Sequence, residues 1–189
     1  MNQRERKYFE ELSNQRKKIA DALREQCVRG VEQAVVQKYS EKAHFIYELL
    51  QNADDCKATE VHFELHKDGL RFWHNGSEHF TIISPSDEND EYKGPIGHIN
   101  AILAIGYSSK TSNGTNEYKI GKFGVGFKAV FQYTATPYIY DDNFSFYIKD
   151  LIVPVAVDSD DKGRKQGDTL FVFPFNLLKS EQSQSVTTV

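Results

Sequence analysis

Between Ala43 and Cys56 the chain reads AHFIYELLQNADDC, and no other stretch limits the fold as strongly. Phe45, Ile46, Leu49, Leu50 and Ala53 repeat at helical intervals and predict a buried stripe. Glu48 and Asn52 stand one helical turn apart within that pattern. At about 3.6 residues per turn they share one face, with Cβ atoms about 5–6 Å apart. A carboxylate can take a proton and an amide oxygen is a hard ligand. Followed by Asp54 and Asp55, the pair suits activation of a water beside a hydrated Mg²⁺. A helix with capping and surface polar residues would read the same way, so the stretch alone does not choose.

A second stretch adds to it. Ile120 to Phe131, IGKFGVGFKAVF, sets Gly121, Gly124 and Gly126 in a G-x-x-G-x-G array that runs into an apolar helical pattern of Phe127, Val130 and Phe131. Glycines let backbone N–H groups approach a phosphate, and the helix that follows offers its positive end to the anion. Dinucleotide folds use a similar string, but directly after a strand. Here the preceding Ser108 to Lys119 is polar and unpatterned.

Taken together, these stretches resemble the GHKL, or Bergerat-fold, ATPases, a group that includes heat-shock chaperones, type II topoisomerases, MutL-type repair proteins, sensor histidine kinases, and MORC and sacsin-like proteins. Four boxes carry the resemblance, in order: Glu48-Leu-Leu-Gln-Asn52-Ala-Asp-Asp55, His74-Asn75-Gly76, Gly121-Lys122-Phe123-Gly124-Val125-Gly126-Phe127, and Gly167-Asp168-Thr169-Leu170. The resemblance implies a two-layer α/β sandwich of class α+β, with helices on one face of a mixed, mainly antiparallel sheet. It implies ATP and Mg²⁺ as cofactors, with ADP as the product. Glu48 would activate the attacking water, Asn52 would bind the Mg²⁺, and Asp55 would project toward the same pocket. The glycine box, Gly121 to Phe127, would hold the phosphates, and Thr169 would lie on the base side.

At the second box the chain departs from the family. The usual turn is Asp-x-Gly-x-Gly, whose aspartate accepts from the adenine amino group; here His74 replaces the aspartate and Glu78 the second glycine. A neutral imidazole nitrogen or the carbonyl of Asn75 can accept in its place. Asp168 or Thr169 can equally supply the contact or order a water. Gly106-Tyr107-Ser108-Ser109-Lys110 resembles the lid of the MORC and sacsin-like branches, and Lys110 can serve phosphate as a flexible point charge.

The 189 residues suit one domain with a sizeable core. A formal net charge of −4 gives no global pull toward nucleic acid, and no clear nucleic-acid surface is expected. Arg16, Lys17 and Lys18 read as a solvated basic face. Cys27 and Cys56 lack metal-ligand spacing and read as free thiols of a reducing compartment. No apolar run reaches the roughly 20 residues of a membrane span, and Met1 is not followed by a signal sequence, so a cytoplasmic address is expected, or a nucleus if the source is eukaryotic.

Residues 4–26 place Phe9, Leu12, Ile19, Ala22 and Leu23 on a narrow stripe, as one amphipathic helix or two short ones. Another short helix follows Gly30, and Ser40 with Glu41 opens the Glu48 helix. Thr59 to His66 and Leu70 to His74 alternate around Asp68-Gly69, a hairpin with a tight Asp-Gly turn. Ile96 to Ile105 has helical length; Phe127 to Tyr133 continues as a buried helix. Pro137 to Tyr140, Asn143 to Lys149, Leu151 to Val155 and Thr169 to Phe173 read as strands. The expected division is an N-terminal helical segment over 1–40, the ATP-binding domain over 41–178 and a polar tail over 179–189, with a downstream domain of the same chain beyond.

The resemblance implies slow ATP hydrolysis serving as a conformational switch, with a nucleotide-dependent homodimer as partner state. Two rival readings stay open. One is a binding module in which ATP acts without significant hydrolysis. The other is a histidine-kinase-like catalytic domain, a branch that usually lacks the carboxylate here supplied by Glu48.

Overall fold

Alternation builds the centre of the molecule. In the computed structural model, which describes residues 1–24, 44–88, 95–104 and 126–177, six strands form one sheet. They are β1 (Val61–His66), β2 (Gly69–His74), β3 (Tyr138–Tyr140), β4 (Ser145–Lys149), β5 (Val153–Ala156) and β6 (Thr169–Pro174), in the spatial order β1-β2-β6-β3-β4-β5. Every pairing among the described residues is antiparallel, so the sheet is not the mixed one expected. The last strand inserts between the two halves, pairing Phe72 with Phe171 on one side and Ile139 with Phe171 on the other. These residues and Phe146 are fully buried on one face.

The helices cover that face, as expected. α1 (Gln3–Leu23) sets Phe9 edge-on to Phe146, with ring centroids 5.7 Å apart, and Ser13 donates to the Pro154 carbonyl at 2.8 Å. α2 (His44–Asp55) rests Phe45 on Phe173. α3 (His98–Leu103) is short, with Ile99, Ile102 and Leu103 buried. Phe127 to Phe131 are all buried too, but Gly126–Gln132 winds as a tighter 3-10 helix rather than the α-helix expected. Side-chain periodicity hardly separates the two over so few residues.

α1 is one helix, opened by a capping box. Glu5 N–H donates to Asn2 Oδ1 at 2.9 Å, and Asn2 N–H donates to the Glu5 carboxylate at 2.7 Å. Such a cap contributes about 1 kcal/mol. Its buried face is Phe9, Leu12, Arg16 and Ala20, whereas Ile19 and Ala22 are exposed. Arg16 therefore leaves the solvated cluster assigned to it: Glu88 accepts from its guanidinium at 2.8 and 2.7 Å, and Asn100 donates to the same carboxylate at 2.8 Å. A buried arginine is tolerated because that carboxylate follows it inside.

The β1–β2 hairpin forms in the expected phase, with one shift. His66 pairs with Gly69, so Lys67 and Asp68 make the turn and Gly69 already belongs to β2. The glycine is required there because a Cβ would lie 2.9 Å from the Phe173 carbonyl oxygen. Between β4 and β5, Asp150 and Leu151 take φ of 51° and 65°, unusual for residues with side chains. The buried Lys128 ammonium of the 3-10 helix donates to the Leu151 carbonyl and ties that turn to the core. Burial pushes this lysine down to about 7.

The helix expected after Gly30, the start expected for the Glu48 helix at Ser40 and Glu41, Cys27, Lys110, Gly121 to Val125 and the tail from Lys179 lie outside the described residues. Among the described residues no helix is long and apolar enough to cross a membrane.

Candidate functional site

α2 meets the end of β2 through close contact of small groups. Cys56 follows the helix, and the position a Gly76 Cβ would occupy is 2.7 Å from its Cβ, 2.8 Å from its carbonyl oxygen and 2.9 Å from His74 Nδ1. Only glycine fits, which explains this residue without any reference to a ligand. Cys56 is a buried free thiol, raised to about 12 by burial and by nearby Glu78 and Asp55 carboxylates, and so inert at neutral pH.

Asn52 lies one turn before Cys56 on the same helical face. It is 1% exposed, yet neither its amide oxygen nor its amide nitrogen has a hydrogen-bond partner among the described residues. Glu48, one further turn back, is half-buried. The sequence pairing of Glu48 and Asn52 on one face is thus present. Of the stripe predicted beside them, Leu49 and Ala53 are buried, Phe45 and Ile46 are half-buried, and Leu50 is exposed. Asp55 is half-buried near the helix end, and Asp54 faces out.

His74, at the end of β2, is 1% exposed. The Gly76 backbone N–H donates to its Nδ1 at 3.1 Å. Burial holds the imidazole neutral by pushing it down to about 4, against a weaker upward pull from Asp141. With Nδ1 accepting, the proton sits on Nε2, and that buried atom has no partner among the described residues. The expected accepting nitrogen is therefore already occupied, and His74 offers a donor instead.

Thr169 opens β6 directly across from His74. It is buried, and its hydroxyl donates to Asp141 at 3.0 Å, which leaves the oxygen's lone pairs available. Asp141 is the residue that sequence reasoning missed. Its carboxylate also receives His79 Nδ1 and the Asn143 N–H, each at 2.9 Å. Strand order brings it there, since Tyr140 pairs with Leu170 and sets Asp141 beside Thr169. Its position in an Asp-Asp-Asn turn gave no such signal.

Other expected site residues go elsewhere. Asn75 is exposed, and its amide braces the entry to β1, accepting from Thr59 and Glu60 N–H at 2.9 and 3.0 Å and donating to the Thr59 hydroxyl at 2.9 Å. The Asp168 carbonyl accepts from Arg164 at 2.7 Å. Phe127 packs between Phe171 and Phe173 in the core, behind Gly126. Among the described residues no group of three or more His, Cys, Asp or Glu side chains forms a metal cluster.

Protein NO VEIN of Arabidopsis thaliana is 35% identical over 113 residues, 57% of this chain and 4% of that protein. Sacsin of Homo sapiens is 27% identical over 114 residues, 56% of this chain and 2% of that protein. The chain thus spans only a small part of either relative. The family model of the Sacsin domain matches residues 25–166, which include α2, the hairpin and the β3 to β5 region. On that match the chain belongs to the Sacsin domain family.

Proposed function

We propose that this domain binds a purine nucleoside triphosphate, ATP in the first instance, between Asn52 on α2 and the His74–Thr169 pair on β2 and β6. The reading rests above all on Asn52, whose buried amide has both polar atoms unpartnered among the described residues. Leaving a buried polar group unsatisfied costs about 1–3 kcal/mol, so a fold that keeps one usually gives it a use. His74 and Thr169 set a donor and an acceptor side by side across the β2–β6 ladder. That pattern complements a purine edge, where an acceptor nitrogen adjoins an amino group.

Asn52 fits a hydrated Mg²⁺, because that ion keeps most of its waters and takes few protein oxygens. When bound, Mg²⁺ supplies charge neutralisation to the phosphate oxygens. The protein's part is positional. Asn52 Oδ1 fixes the approach of the triphosphate, and Glu48, one turn away, orients a water and takes its proton. Gly121, Gly124 and Gly126 would offer backbone N–H groups to the phosphates, with Lys110 and Lys122 as cations beside them. Bergerat architecture belongs to the same proposal: a helix-covered antiparallel sheet with its boxes in this order supports it. A switch role in a longer chain and a nucleotide-dependent dimer are further parts of the same proposal.

Orphaned atoms bear on binding, and Glu48 on hydrolysis, so the two are tested separately. Calorimetric titration with Mg²⁺-ATP and Mg²⁺-GTP should show saturable binding, weakened about tenfold or more in Asn52→Ala. Glu48→Gln should bind within about threefold of wild type while losing phosphate release. ATP affinity unchanged in Asn52→Ala would refute the reading.

A further inference from the structure

β1 is an edge strand that looks unfinished. It is outermost in the sheet order among the described residues, and all six of its residues are exposed. Val61, Phe63 and Leu65 are 38%, 39% and 75% exposed. They lie on the helix-covered side of the sheet, as the Phe63 ring 4.6 Å from the buried Phe72 ring shows. His62, Glu64 and His66 lie on the other side, with His62 stacked on Trp73. An exposed edge with a row of apolar side chains is a template for another strand.

Hydrogen-bond phase decides which groups that edge presents. Asn75 N–H donates to the Glu60 carbonyl, so Glu60 directs its main chain toward β2. In an antiparallel ladder this alternates. His62, Glu64 and His66 follow Glu60 inward, and Val61, Phe63 and Leu65 direct their N–H and C=O groups outward. A second antiparallel strand must meet those three residues.

We propose that β1 pairs antiparallel with β1 of a second copy of this chain about a two-fold axis at Phe63, joining two six-stranded sheets edge to edge. In that register Val61 faces the second copy's Leu65, and Phe63 faces its own equivalent, all as hydrogen-bonded pairs. The pairs between them have the closer side chains. There His62 meets the second copy's Glu64, and Glu60 meets its His66. The segment EVHFELH is therefore self-complementary, with apolar side chains facing apolar ones and imidazoles facing carboxylates. Shifting the register by two residues either way sets Glu against Glu and His against His, which is unfavourable. Within one chain these groups are held only loosely, with His62 to Glu60 at 3.9 Å, His66 to Glu64 at 3.7 Å and Arg71 to Glu64 at 3.9 Å. They can turn to a partner at little cost. The contact is narrow, so the dimer is a weak, concentration-dependent one. It needs no nucleotide and stands apart from the proposed pocket.

Sedimentation velocity of the full chain without nucleotide, from micromolar to near-millimolar concentration, tests the pairing, with melting temperatures as a check that each variant is folded. Wild type should shift from monomer to dimer. His62→Glu should weaken association about tenfold or more by facing Glu64 with a like charge. Adding Glu64→His to that variant swaps the pattern and should restore association to within about threefold of wild type. Leu65→Lys, at a site already 75% exposed, should be monomeric and folded. A wild type that stays monomeric throughout would overturn the proposal and leave the edge to a different chain. An association indifferent to His62→Glu, or a swap that restores nothing, would overturn it equally.

Discussion

Gly76 donates its backbone N–H to His74 Nδ1 at 3.1 Å, and this bond decides which ring nitrogen of His74 carries the proton. The imidazole is buried between the β2–β6 ladder and the Cys56 turn, neutral and in a single tautomer.

That burial makes stability depend on pH in a stated direction. Unfolded, the imidazole titrates near 6.5; folded, it is pushed down to about 4. Between those values the unfolded chain binds more protons. The stabilisation is complete above about 6.5 and is lost as pH falls toward 4. At 1.36 kcal/mol per pH unit the loss amounts to roughly 3 kcal/mol. Urea unfolding of wild type and His74→Gln across this range should show the wild-type curve falling more steeply by about that amount. Parallel curves would mean that the ring protonates freely in the native state.

Gly76→Ala tests the close approach between α2 and β2. The new Cβ would meet Cys56 Cβ and the Cys56 carbonyl oxygen well inside contact distance. The expected cost is about 1–3 kcal/mol, read as a lower melting temperature. A neutral outcome would show that the turn after α2 yields easily.

How much of this was legible beforehand follows from where each signal resides. The hairpin could be read because alternation and the two-residue connection are both local, and Glu48 with Asn52 because helical spacing is local. Arg16 was misread because a charge on a helix normally faces water; only the position of Glu88, far along the chain, lets it turn inward. Asp141 was invisible because its meeting with Thr169 and His79 depends on β6 entering between β2 and β3. The donor character of His74 was misjudged for a related reason: it depends on one backbone N–H two residues on, which no residue pattern specifies.

Arg16 and Glu88 offer a further test of the packing of α1. Their side chains are about a tenth exposed, and the ion pair is closed at 2.7 Å. Glu88→Ala would leave a buried guanidinium uncompensated and remove the acceptor of Asn100, so a loss of about 3–5 kcal/mol is expected in denaturant unfolding. The double replacement Arg16→Met with Glu88→Leu should recover most of it, because an apolar pair of similar volume replaces a desolvated charge pair. A double variant as weak as Glu88→Ala would place the stabilisation in the ion pair itself.

Whether the orphaned atoms at the junction of α2 and β2 receive a nucleotide is the central question, and side-chain NMR addresses it at the atoms concerned. The ¹⁵N–¹H resonances of the Asn52 amide and of His74 Nε2–H would be followed while Mg²⁺-ATP is added to the full chain. Both should move saturably and in parallel, since each gains a hydrogen-bonding or ligating partner. Both resonances unmoved at millimolar nucleotide, in a chain that remains folded, would contradict the account.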